Sequence, residues 1–242
     1  MEKILFKKRV LKALSVCLLI NIVDIIACYY NLLEMYKDEV IDSIAFNRTL
    51  VSGDFHSLLQ YGVVYMFIYI IYIVYIMEDD KIYKIIRYEQ RKSYYFKTIK
   101  KVFYATFLFV LIHELTSVVY ILLFGNWSIL IKHNWIMGIF GQILITFLYY
   151  NMVFFVYSIM QSKWVRGASI VNTIMIMILQ YYISVKFFEF IYMPIKDIGI
   201  MVSMCGYGYS FRQCLGNVFR LVVITVIVGG ICLEVKNRED IL

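Results

Sequence analysis

Only one of the 242 residues is proline, only 3 are histidine and only 17% are charged. The scarcity of proline leaves little to break long helices, and the low charge leaves too little polar surface to solvate a globule of this length. The five cysteines (Cys17, Cys28, Cys205, Cys214, Cys232) contain no C-x-x-C spacing and fall mostly inside apolar runs, where a thiol is a small buried hydrophobe. No internal repeat, low-complexity tract or linker divides the chain.

What is present is apolar and aromatic. Hydrophobic residues make up 62% and aromatics 18%, with 22 Tyr and 18 Phe, and the mean hydropathy of +0.75 excludes a water-soluble domain. The formal net charge is +7, yet the basic residues bunch between long apolar runs and form no separate basic module, which argues against a nucleic-acid partner. The runs 13–33, 57–77, 102–124, 135–160, 168–185 and 221–235 predict six transmembrane helices in an all-α, polytopic membrane protein. The first run follows Lys3, Lys7, Lys8, Arg9 and Lys12, but it is too long for a signal peptide, carries Asp24 and lacks a cleavage site, so it reads as a retained span with an amphipathic leader over 1–12.

Orientation follows from the positive charges. Of the 24 Lys and Arg, 17 fall in 1–12, 78–101, 161–167 and the tail, and 7 in 34–56, 125–134 and 186–220; this predicts both termini in the cytoplasm of a cell-membrane protein. A further crossing within 187–217 is opposed by Glu189, Lys196 and Asp197, each expensive at depth. That stretch is expected to dip into the outer leaflet, broken near Pro194, Gly206 and Gly208. Cys205 and Cys214 fall in it, where a disulfide is chemically possible.

Chemistry is sparse. His113 and Glu114 in the third run evoke H-E-x-x-H, but Ser117 stands where the second histidine is needed, so no zinc cage and no catalytic set is read. Asp24, His113 and Glu114 remain as intramembrane polar residues, either on a solute or proton path or as interhelical glue bonded to neighbours such as Asn21, Gln142, Asn151 or Asn172. In the second run Tyr61, Tyr65, Tyr69, Tyr72 and Tyr75 share a narrow helical stripe. Tyr65, Tyr69 and Tyr72 are candidates for the wall of a translocation path, with helix packing as the alternative.

The 78–101 connection opens with Glu78-Asp79-Asp80 and carries Lys84, Arg87 and Arg91 along one side. It reads as a cytoplasmic amphipathic helix that either lies on anionic lipid or docks a soluble partner.

Six spans, a basic amphipathic start, a charged helix between spans two and three and an apolar dipping segment before the last span together resemble the ABC-2 type permease subunits of bacterial ABC transporters. The tail Glu234-Val235-Lys236-Asn237-Arg238-Glu239-Asp240-Ile241-Leu242 is similar to that of many such Gram-positive permeases. Ile85-Ile86-Arg87-Tyr88-Glu89-Gln90-Arg91-Lys92 resembles the Arg-Tyr-x-x-Arg pattern of small permeases in bacteriocin- and lantibiotic-associated systems. The resemblance implies one permease domain over 1–242 that pairs with a second copy or paralogue and binds a separate ATP-binding cassette subunit through Lys84, Arg87, Tyr88 and Arg91. It further implies export of a peptide or amphipathic compound, or self-immunity, without a cofactor. No G-x-x-x-x-G-K-[ST] occurs in the chain, so ATP hydrolysis by that route belongs to the partner and the chain is not read as an enzyme. A stand-alone immunity or sensor protein, or an intramembrane enzyme, are the alternatives.

Overall fold

Backbone polar groups buried away from water must bond one another, and an α-helix does this within a single segment. The structure, a computed structural model, describes residues 2–35, 46, 50, 57–77, 91–126, 131, 135–187, 190–199 and 211–238, and the regular elements among them are all helical. Helix α1 spans Glu2–Met35. A π turn, Gln60–Val64, in which the Tyr65 N–H reaches back five residues to the Gln60 carbonyl, leads into α2, Tyr65–Ile76. Then come α3 (Arg91–Phe124), α4 (Trp135–Gln161) and α5 (Arg166–Tyr181), which continues into a second π turn, Tyr182–Phe187. A 3-10 turn, Pro194–Gly199, precedes α6, Phe211–Arg238.

Among the described residues four stretches are long and apolar enough to cross a membrane: Leu5–Glu34, Tyr94–Phe124, Trp135–Gln161 and Arg212–Arg238; Gln60–Ile76 is apolar but shorter. The elements α1, α3 and α6 begin earlier than the hydropathy of the runs suggests. Their first turns carry Lys and Arg, which lower hydropathy but are good helix formers, so the helix continues through the charged flank. The leader 1–12 is accordingly the start of α1 from Glu2 onward, 91–101 opens α3, and 211–217 opens α6. The rest of the 78–101 helix, including Lys84, Arg87 and Tyr88, and the Gly206 and Gly208 breaks lie outside the described residues.

Contacts along the helices fix their directions. Lys101 stands over the Phe6 ring at 5.8 Å and Tyr29 stacks on Phe124 at 3.8 Å, so α1 and α3 run side by side in one sense. Helix α2 runs against them: its Tyr65 reaches Asp24, while Tyr72, two turns on, bonds the Ala105 carbonyl in the first half of α3. Helix α4 opposes α3, with Phe155 beside Phe103 and Tyr150 beside Phe109. Arg166 at the start of α5 donates to the Val74 carbonyl at the end of α2, and α6 parallels α4 through Thr225 against Leu148 and Gly229 against Phe155. Successive helices thus alternate in direction, and the start of α1 and the end of α6 share one end of the bundle.

Helix α4 is the central element. In its apolar window 61% is buried, against 22% in α1 and α6, which form the outside. At Gly229 an added Cβ would lie 3.0 Å from the Phe155 ring, so glycine lets α6 approach α4 closely. A second, smaller cluster of Leu32, Tyr120, Ile121 and Trp135 packs where α1, α3 and α4 meet at the opposite end.

Candidate functional site

A seam of polar side chains runs through this apolar bundle. Helix α1 contributes Asn21 and Asp24, three residues apart and therefore on one face. The Asp24 carboxylate accepts from Gln60 Nε2 at 2.5 Å and from the Tyr65 hydroxyl at 2.8 Å. One turn earlier, Asn21 Oδ1 meets His113 Nδ1 at 3.2 Å. The His113 imidazole lies against both Tyr61 and Tyr65, with ring centroids at 4.8 and 3.9 Å. The rings thus close the gap between α1, α2 and α3.

The tyrosine stripe faces inward. Tyr61, Tyr65, Tyr69 and Tyr72 are all buried. The Tyr69 hydroxyl shares a hydrogen bond with Thr106 at 2.8 Å, and its ring stacks on Tyr150 at 4.9 Å. Tyr72 donates to the Ala105 carbonyl at 3.0 Å, and Tyr150 donates to the Tyr61 carbonyl at 3.0 Å. That last bond ties α4 to the π turn, whose altered spacing exposes carbonyls to side-chain donors.

Glu114 is a deeply buried acid in α3. It is 1% exposed, and neither carboxyl oxygen closes a hydrogen bond of ordinary geometry with the described residues. The hydroxyl side chains of Tyr61 and Thr146 flank it, and Thr146 accepts from Gln142 Nε2 at 3.2 Å. Asp24, His113 and Glu114 therefore belong to one assembly with Tyr61 and Tyr65. Among the described residues no three His, Cys, Asp or Glu side chains form a metal cage.

Not every expected residue joins it. Arg91 opens α3 far from the seam, and Lys84, Arg87, Tyr88, His56, His133 and Cys205 lie outside the described residues. Cys214 is a buried free thiol within α6. Asn151 bonds the Phe147 carbonyl of its own helix. Asp24 is bonded by Gln60 and Tyr65 and His113 by Asn21; of these the sequence pointed to Asn21 as a bonding neighbour, to Tyr65 only as part of the stripe, and not to Gln60.

A second polar cluster, also missed, lies beyond the seam. Asp197 is 1% exposed and accepts from Tyr192 at 2.5 Å and from Arg220 Nε at 3.2 Å, with Arg220 Nη2 on its other oxygen. The Arg220 guanidinium also sits 4.1 Å from the Tyr192 ring centroid and donates to Asn217. Burial, and then the bond to Asp197, push the Tyr192 phenol up, so it stays a donor. The only sequence signal was an acid in an apolar stretch and an arginine before the last run.

No protein-family model, no curated protein and no solved structure matches the chain.

Proposed function

We propose that the chain is the membrane-spanning permease subunit of an ABC-2 type transporter. All six helices cross the cell membrane, with both termini cytoplasmic, and a separate ATP-binding subunit supplies the energy. The cargo is a peptide or amphipathic compound, exported or expelled in self-immunity, and a second copy or paralogue completes the permease. The observation that carries this reading is the seam: carboxyl, imidazole, amide and phenol groups gathered from four helices inside an apolar bundle. Ionisable groups in hydrocarbon are costly, and they characteristically mark a path or a relay. Tyr65, Tyr69 and Tyr72 lie along it as the wall of the proposed path, and a cargo there would exchange for the bonds their hydroxyls now make within the chain.

The distribution of charge favours the same orientation. Lys8 and Lys12 of α1, Lys100 of α3, Lys163 beside α5 and Arg238 of α6 crowd the end shared by the start of α1 and the end of α6, as expected of a cytoplasmic side.

The test is direct. The chain is purified from its native host and reconstituted with the nucleotide-binding subunit that accompanies it. Arg87→Glu with Arg91→Glu is expected to lower that association and the coupled ATP hydrolysis while membrane insertion persists. Absence of any nucleotide-binding subunit would favour the stand-alone immunity or sensor reading, which the engagement of the Tyr65, Tyr69 and Tyr72 hydroxyls within one chain also favours.

A further inference from the structure

Asp24 stands where the buried side of α1 gives way to the exposed one. At helical spacing on one flank, Asn21 is buried and Cys28 packs on the core; on the other flank Ile20, Ala27 and Asn31 are exposed. Across the crevice Gln60 is part-exposed like Asp24 itself, and Val64, at the other end of the π turn, is exposed. The carboxylate therefore sits on the outer rim of the seam, between α1 and the π turn, and not in its closed interior.

Its charge has no counterpart there. Both bonds to Asp24, from Gln60 and from Tyr65, arrive at Oδ2, and among the described residues no Lys or Arg pairs with it. His113 turns Nδ1 to Asn21 instead. Two neutral donors orient a carboxylate without neutralising it, and Oδ1 keeps its lone pairs. Asp24 also lies ten residues, about 15 Å of helix, inside the Glu34 end of the apolar stretch Leu5–Glu34. An acid at such a depth needs a counter-charge or a proton.

The surroundings select the kind of counter-charge. A bare metal ion asks for several oxygen ligands, but Gln60 and Tyr65 turn N–H and O–H toward the carboxylate, and among the described residues no three His, Cys, Asp or Glu side chains gather. A primary ammonium group needs less. Asp24 Oδ1 can take one of its N–H donors, and Gln60, whose Nε2 is engaged by Asp24, keeps its amide oxygen as a second acceptor. The exposed Ile20 and Val64 on either side suit an apolar chain attached to that group.

We propose that Asp24 and Gln60 form a membrane-facing site for the ammonium group of a cationic amphipath. The ligand reaches it sideways from the bilayer, its head at the carboxylate and its chain along α1 and the π turn. That this ligand is the cargo rests on the permease reading, whereas the site itself does not.

The experiment uses the wild-type full chain in phosphatidylcholine nanodiscs, whose choline heads carry no N–H, so no variant has to fold. A lipid-soluble carbodiimide modifies carboxyl groups from the membrane phase, and peptide mass spectrometry reads its rate at Asp24. The enclosed Glu114 should stay unmodified and so reports an intact fold. The probe is dodecylammonium, with dodecanol and sodium chloride as controls. Probe at about ten times its dissociation constant is expected to slow modification of Asp24 about tenfold, while neither control does. Equal slowing by dodecanol would mean that an apolar chain alone fills the crevice, and equal slowing by sodium a bare-cation site. No slowing would mean an acid held in its protonated form, and no modification at all a carboxyl closed to the membrane. Each of these four results overturns the proposal. Adding phosphatidylethanolamine to the nanodiscs separates the sources of the ammonium group. Modification already slow without probe identifies a membrane lipid, unchanged modification a solute, and either keeps the site. No ATP or nucleotide-binding subunit enters these rates, so failure of the site and failure of the permease reading show separately.

Discussion

The Tyr65 hydroxyl donates to the Asp24 carboxylate across 2.8 Å, joining two helices that run in opposite directions through residues 41 apart in the chain. A charge-assisted bond of this kind contributes about 1.5–3 kcal/mol in water-soluble proteins and typically less between helices in lipid. Tyr65→Phe is therefore expected to cost about 1 kcal/mol. Because Gln60 also binds Asp24, the carboxylate keeps a partner. A double-mutant cycle with Asp24→Ala, followed by unfolding in mixed micelles, should return a coupling of roughly 0.5–2 kcal/mol. Strict additivity would mean that the bond contributes nothing to the fold.

Phe at positions 65, 69 and 72 together keeps every ring and removes three hydroxyls. Tyr69 loses the Thr106 hydroxyl and Tyr72 the Ala105 carbonyl; the stability loss should be about 1 kcal/mol per site. If the stripe lines the path, export at matched amounts of folded protein falls further than this loss explains. A protein that loses stability yet exports fully would remove the tyrosines from the path. Tyr69 is fully buried within one chain, so a cysteine placed there is expected to form no disulfide between copies.

The alternating helix directions carry a topological prediction. With the start of α1 and the end of α6 at one end, a reporter active only in the cytoplasm should be active when fused after Leu242 and inactive when inserted after Asn126, beyond the end of α3. Equal activity at both sites would break the six-crossing arrangement.

Helix content was readable because a chain with one proline and 62% hydrophobic residues has few other ways to satisfy its backbone. Helix ends were not, since Arg91 and Lys97 look like a connection to a hydropathy window and like helix to a backbone. Within the site, Asp24, His113, Glu114 and the tyrosine stripe stand out through chemistry and period. Their pairings do not: His113 finds Asn21 across 92 positions, and Arg220 finds Asp197 across 23. Those choices depend on how each helix is rotated and docked, which periodicity leaves open. The π turn is equally invisible, because Gln60–Val64 has an ordinary apolar helical sequence.

Gly62 is the point where that turn and the segment above it come closest. An alanine methyl there would stand 2.4 Å from Ile195 Cδ1 and 2.7 Å from Ile195 Cγ1, nearer than atoms approach, so Ile195 must move. Overpacking of this kind costs about 1–3 kcal/mol, and the strain falls on the short turn Pro194–Gly199 because α2 is held by its tyrosines on the other side. Gly62→Ala is therefore expected to lower the thermal midpoint, and Ile195→Ala, which by itself leaves a cavity, is expected to restore part of the loss in the double variant by removing the clashing carbons. The sign of the coupling decides the matter. If the two changes simply add, Ile195 does not rest on Gly62, and the close approach of the two turns is lost with it.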